Sequence, residues 1–328
     1  MKKLLAGLGV VLVLVLLAVA AFEYAIYADR SHPNAPVQVV IERGSTFDDV
    51  ARRLAGNGVI SNVLTFRTLA RLRGQDSAVR AGEYRFSPHV TQSEVLHALV
   101  TGGAQVASWI TIPEGFTAAQ IAARLQAEGL GSRDALRESF MREQIVVDGA
   151  RTKNLEGFLF PSTYLVPLGD EPRSVAGIFT GQFYKELPGN APTRARALHV
   201  TVPEVVTVAS LVEREARSAA DRPKIAAVIY NRLRLRMPLQ VDATIEYALP
   251  EHKSELSFAD LRIDSPYNSY MHAGLPPTPI ANPGLASLLA ALNPAKTDDL
   301  YYVYCGNGRH VFAKTLAEHQ ANVARCLQ

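Results

Sequence analysis

The sequence has few cysteines and little net charge. Cys305 and Cys326 are its only thiols. No Cys-x-x-Cys pair and no Cys/His cluster is present, which excludes the common structural zinc sites. The net charge is +3, and charged residues make up 20% of the chain. That is too sparse for the dense basic field a nucleic-acid binder needs. A mildly basic balance suits an anionic polymer or a membrane surface and selects neither. His310 and His319 with Glu318 lack a metal-ligand spacing, so neither a metal nor any other cofactor is expected. In an oxidising compartment the two cysteines could pair, but spacing alone does not fix their geometry.

What the sequence does have is apolar residues, 48% of its 328 positions. That is enough for two core-bearing units. The longest apolar run is at the N-terminus. Lys2 and Lys3 precede an uncharged stretch at 4–22 rich in Leu, Val and Ala. About twenty such residues span a bilayer as a helix, because lipid offers backbone groups no partner. A cleaved signal has a shorter apolar core. Ala18-Val19-Ala20 resembles a cleavage site, but the length and the following Phe22, Tyr24 and Tyr27 favour a retained anchor. The two lysines then keep the N-terminus cytoplasmic and the rest outside.

Residues 28–36 read as a polar, Pro-containing linker. Residues 37–41 read as a strand. Thr46 caps a helix with Asp49 at its third position; Val50, Ala51 and Leu54 form the apolar face, and Asn57-Gly58 ends it. The same pattern recurs 71 residues later. Thr117 caps, Gln120 follows, Ile121, Ala122 and Leu125 form the face, and Gly129 stops it. Duplication and convergence on a common strand-turn-helix both fit. Between the two copies, 62–73 and 92–100 are expected helices and 82–86 a strand. The strand-helix-helix-strand order over 37–86 resembles a LysM-type glycan-binding module. Gly102-Gly103 marks a boundary.

From Thr201 the pattern sharpens. Thr201 and Glu204 make a capping box, and Pro203 is tolerated in the first turn. The helix should run to about Arg217, and a second should run from about Asp221 to Leu235. A strand is expected at 300–304. On a helical wheel Val205, Ala209, Val212 and Ala216 form a buried stripe. Ser210 and Arg214 lie opposite, and Glu213 and Glu215 flank the stripe. A carboxyl group at such a margin is partly desolvated, which raises its pKa and suits a general acid. The alternative is that both glutamates pair with Arg214, Arg217 or Arg232. The wheel does not choose between Glu213 and Glu215.

An ordered series of blocks follows. It comprises Ala209-Ser210-Leu211-Val212-Glu213-Arg214-Glu215-Ala216, Tyr230-Asn231-Arg232-Leu233, Pro238-Leu239-Gln240 with Asp242, and Ser265-Pro266-Tyr267-Asn268-Ser269-Tyr270. Gly274-Leu275-Pro276-Pro277, Asn282-Pro283-Gly284 and Gly308-Arg309-His310-Val311-Phe312 close it, and Leu155-Glu156-Gly157-Phe158-Leu159-Phe160-Pro161 precedes it. This series resembles the endolytic murein transglycosylases, the YceG-like family, over the chain beyond the anchor. The resemblance implies an α+β protein with an N-terminal transmembrane helix at 1–27, a LysM-like subdomain at 37–102 and a lytic transglycosylase catalytic domain at 103–328. It implies an inner-membrane enzyme of the lyase class acting on peptidoglycan glycan strands, with its C-terminal part periplasmic. Wall synthases such as penicillin-binding proteins are the implied neighbours, and nucleic acid is not.

Within the Glu-x-Glu step the resemblance favours Glu215 as the acid, because related enzymes place it before a small residue. Ala216 stands where a hydroxyl residue is frequent, and Ser162 where Asp is common. Glu213, Asn231, Gln240, Asp242, Tyr267, Asn268 and Tyr270 are candidates for binding sugar hydroxyls and acetamido groups. For Tyr267 and Asn268, shaping the loop after Pro266 is the competing role. The rival function is a non-catalytic, glycan-binding membrane scaffold for wall-synthesis enzymes.

Overall fold

The computed structural model describes residues 2–28, 35–251, 253, 256–306 and 308–326. The chain divides into two compact units. The first comprises Met1–Ile110 with Leu165–Gly169, the second Thr111–Tyr164 with Asp170–Gln328. The α+β expectation holds.

The first unit begins with α1 (Lys2–Glu23), which passes into a π-helical turn at Tyr24–Ala28. Leu8, Leu12, Leu16 and Val19 face outward along α1. Among the described residues this is the one helix long and apolar enough to cross a membrane unaided. Residues 29–34 of the expected linker lie outside the described residues.

Next come β1 (Val37–Ile41), α2 (Phe47–Gly56), α3 (Val63–Leu72), β2 (Gly82–Phe86), α4 (Gln92–Thr101) and β3 (Gln105–Thr111). β1 and β2 pair antiparallel, with Val37 opposite Phe86. β2 pairs with β3 across an irregularity at Glu83/Tyr84. Val39, Ile41, Val50, Leu54, Phe66, Leu69, Tyr84, Phe86 and Leu96 make one buried core. The expected boundary at Gly102-Gly103 falls before β3. The structure keeps β3 with the first unit, because its backbone completes the ladder begun by β1 and β2.

The second unit holds α5 (Ala118–Ala127), α6 (Arg133–Arg142), the hairpin β4 (Val146–Val147) and β5 (Ala150–Arg151), and the start of β6 (Thr163–Pro167). Leu165–Gly169 continues β6 into the first unit's sheet, whose order is β1-β2-β3-β6. Then follow α7 (Pro172–Glu186), α8 (Ala191–Ala197), α9 (Val202–Glu215), α10 (Arg222–Arg234) and α11 (Asp242–Ala248). A short 3-10 turn at Asp260–Arg262, α12 (Leu285–Leu292), the hairpin β7 (Tyr301–Tyr304) and β8 (His310–Ala313), and α13 (Leu316–Cys326) complete it.

The repeated sequence pattern has a repeated geometry. Thr46 and Thr117 each complete a capping box, on α2 and α5. Gly58 and Gly129 both take positive φ, at 72°. Arg53 donates to the Val40 carbonyl at 2.7 Å. Arg124, 71 residues on, donates to the Thr111 carbonyl at the same distance. Each arginine ties its helix back to the preceding strand.

The central helix of the second unit is α9. Its expected one-sided stripe is corrected by the structure. Val205, Val206, Val208, Ala209, Leu211 and Val212 are all buried, and so is Ser210. A helix that is apolar all round sits inside a domain rather than on its surface. α10, α11 and α12 pack against it, and the loop at 276–282 covers the Ser210 face. There Ser210 donates to the Thr207 carbonyl at 2.7 Å and accepts from the Ile280 N–H at 3.1 Å. Cys305 and Cys326 are joined as a disulfide, with Cα atoms 4.4 Å apart.

Candidate active site

α9 is capped at its start by the reciprocal Thr201–Glu204 box, with Pro203 in its first turn. It ends at Glu215, two residues earlier than the pattern predicts, and Ala216 turns to extended backbone. Glu215 therefore stands at the last turn of a buried helix. It faces a polar cleft of about 440 Å³ walled by Glu114, Glu213, Arg214, Arg217, Asp242, Glu246 and His310.

Three circumstances push the Glu215 carboxyl up to about 7. Desolvation is the largest, followed by the negative charges of Asp242 and Glu246. The carbonyl end of a helix acts in the same direction. A hydrogen bond donated by the Tyr302 hydroxyl at 3.2 Å, and the charge of Arg217, oppose the rise without cancelling it. Burial wins because no arginine reaches the carboxyl. Among the described residues neither Glu215 nor Glu213 has an ion-pair partner within 4 Å; Arg214 is paired instead with Glu246 at 2.9 Å. The salt-bridged alternative for the two glutamates is thus excluded.

Glu213 has a different task. Its carboxylate accepts the Gly284 N–H at 3.1 Å. Glu114 packs so closely over Gly284 that a Cβ there would collide with its carboxyl. Desolvation and the Glu213 charge raise the pKa of Glu114. The loop bearing Glu114 is pinned from below. Gly115 N–H donates to the Asn282 carbonyl at 2.9 Å, and Asn282 N–H donates to the Phe116 carbonyl at 2.8 Å.

Beneath that loop lies Glu156, 1% exposed. It accepts from the Ala118 N–H, at 3.0 and 3.1 Å to its two oxygens. The Tyr247 hydroxyl donates to it at 3.1 Å and the Asn282 amide at 3.0 Å. Desolvation outweighs these donors and raises its pKa to about 7. Gly157, at φ 89°, leaves no room for a Cβ against Pro279.

The other sequence candidates divide into two sets. Asp242 lines the cleft at the start of α11 and accepts a short hydrogen bond from the Tyr270 hydroxyl. Gln240 is exposed, in the left-handed backbone region, and accepts from Arg232 at 3.3 Å. Tyr267 stacks obliquely on Tyr247, with centroids 4.9 Å apart, and shares a 2.8 Å hydrogen bond with Thr278.

Asn231 and Asn268 do not fit a sugar-binding role. Asn231 donates to the carbonyls of Thr297 and Asp299 at 2.9 and 3.0 Å. Asn268 is fully buried and donates to the carbonyls of Leu261 and Ile263. Their amides hold loops in place.

Sequence reasoning missed Glu114, Glu246 and Tyr302. Glu114 had a faint signal, a Pro-Glu-Gly turn between a strand and a capped helix. Tyr302 had none beyond its strand.

A partly desolvated carboxyl at the end of a buried helix, set in a polar cleft, has the surroundings that acid–base chemistry requires. The comparisons identify the group more closely. The YceG-like family model matches residues 39–325. The chain belongs to the YceG-like family. It is 38% identical over 301 residues to an endolytic murein transglycosylase of Bacillus subtilis, covering 86% of this chain and 82% of the relative. It is 32% identical to the endolytic murein transglycosylase of Streptococcus pneumoniae D39, covering 88% of this chain but 58% of that longer protein. A 2.6 Å crystal structure of a yceG-like protein from Listeria monocytogenes superposes with a TM-score of 0.62 at 32% identity, covering 88% of this chain and 99% of that one.

Proposed function

We propose that this protein is an endolytic peptidoglycan lytic transglycosylase with Glu215 as its acid and base. The observation that carries the reading is the Glu215 carboxyl, held protonatable near neutral pH in a polar cleft. Protonated Glu215 donates to the glycosidic oxygen between N-acetylmuramic acid and N-acetylglucosamine. That C–O bond breaks and positive charge develops at the muramoyl C1. The carboxylate left behind takes the proton of the muramoyl C6 hydroxyl, whose oxygen bonds to C1. The product is a 1,6-anhydro ring, and the proton returns to Glu215 with no water consumed. The Tyr302 hydroxyl favours the carboxylate form in the second step. Asp242, Gln240 and Tyr270 are the wall residues we assign to sugar contacts, and Glu213 to holding the loop at Gly284.

We place the protein in the inner membrane by α1, Lys2 and Lys3 inside and the enzyme outside, where a strand leaving a wall synthase such as a penicillin-binding protein would meet the cleft. Residues 37–102 are the glycan-binding, LysM-like part. The pairing of β1 with β2 around α2 and α3 supports that assignment.

The test is mass spectrometry of isolated glycan strands after digestion. Ends lighter by one water than hydrolytic ends are expected. Reducing ends would make the enzyme a hydrolase, with Asp242 the first residue to examine. Intact strands would leave the scaffold reading.

A further inference from the structure

A second cavity, of about 690 Å³, adjoins the cleft and shares Arg214, Ala243 and Glu246 with it. One of its walls is α6, from which Arg133 and Arg137 reach it one helical turn apart. Both are exposed. Among the described residues neither meets a carboxylate within 4 Å, whereas Arg142 on the same helix is paired with Glu138 at 2.7 Å. The acids of this cavity do not neutralise them. Glu246 is bound to Arg214 at 2.9 Å. Glu156 is buried and occupied by Ala118, Tyr247 and Asn282.

Two uncompensated guanidiniums beside a polar cavity favour an anion, and their planar forks match carboxylates. The glycan backbone supplies none. The lactyl group of each muramoyl unit does, through a peptide stem with free carboxylates. We propose that this cavity receives the acidic peptide stem of the muramoyl unit seated in the cleft, with Arg133 and Arg137 as its carboxylate anchors. The shared wall at Arg214, Ala243 and Glu246 lets one substrate occupy both spaces. The inference rests on the reading of the cleft as a muramoyl-cleaving site.

The full-length enzyme would be assayed on uncross-linked strands carrying their stems and on the same strands stripped by an amidase, which leaves only the short lactyl carboxylate on the ring and removes the carboxylates of the stem. Wild-type protein is expected to cleave stem-bearing strands with the lower KM. In Arg133→Gln/Arg137→Gln, KM for stem-bearing strands should rise about fivefold to tenfold with kcat little changed, closing the gap. Arg137→Glu alone should raise KM on stem-bearing strands further still. A double variant that keeps the wild-type gap, or loses equally on both substrates, overturns the stem site while the enzyme assignment stands. A wild-type protein that cleaves neither substrate overturns the assignment itself.

Discussion

At the scale of single residues, the two glutamates of the Glu-x-Glu step are separated by their surroundings. Glu215→Gln keeps size and polarity but has no proton to give. Strand cleavage should fall by at least about 10²-fold with the melting temperature kept. Glu213→Gln should lose less, because an amide oxygen can still accept from Gly284. An inactive Glu213→Gln beside an active Glu215→Gln would reverse the assignment. The pH profile offers a second check. The acid must be protonated, so activity should decline as pH rises through about 7. Asp242→Asn removes a repelling charge and should move that alkaline limb down by roughly half to one pH unit. Tyr302→Phe removes a donor to the carboxylate and should move it up. Parallel shifts in both variants would sink this account of the carboxyl. That both glutamates lie beside the apolar residues of this helix was legible in the sequence, and the preference for Glu215 came from the family resemblance. The residues that set its pKa were not, because Asp242 and Glu246 arrive on α11 and Tyr302 on β7, both far along the chain. Asn231 and Asn268 misled for a related reason: an amide's residue type does not say whether it will face a sugar or a carbonyl.

At the scale of elements, capped helices were the most readable feature. Thr46, Thr117 and Thr201 each begin the helix the pattern predicts, because a capping box is a local bargain between residues three apart. The packing beneath the Glu114 loop is not local. Glu156 joins the start of α5, Tyr247 of α11 and the loop at Asn282. Glu156→Gln puts an N–H₂ among those donors and should cost about 1–3 kcal/mol of stability. The sign of its pH dependence follows from a folded pKa of about 7 against an ordinary 4.5. The stabilisation is complete below the unfolded value and is lost as pH rises through the folded one. The gap in melting temperature between wild type and variant should therefore be widest near pH 4 and narrow toward pH 8. A gap that widened instead would mean the buried carboxyl is ionised throughout.

At the scale of the whole molecule, α1 is set apart from the other helices by its outward-facing apolar side chains. Carbonate-washed membranes should retain the full-length chain. Recovery of a soluble form starting after about residue 20 would make α1 a cleaved signal. The mixture of helix and sheet was readable from patterning. Which backbone completes the first unit's ladder was not, since β6 joins that sheet from far along the chain. The Cys305–Cys326 bond adds a consequence of another kind. Cys305 directly follows β7, the strand that presents Tyr302 to Glu215, and Cys326 closes α13. The covalent clasp behind the strand that bears Tyr302 can close only where thiols are oxidised. On the topology we propose, export is then a step of maturation as well as delivery: a copy still in the cytosol would hold Glu215 beside an unfastened strand, and the clasp would close only once the chain has crossed the membrane.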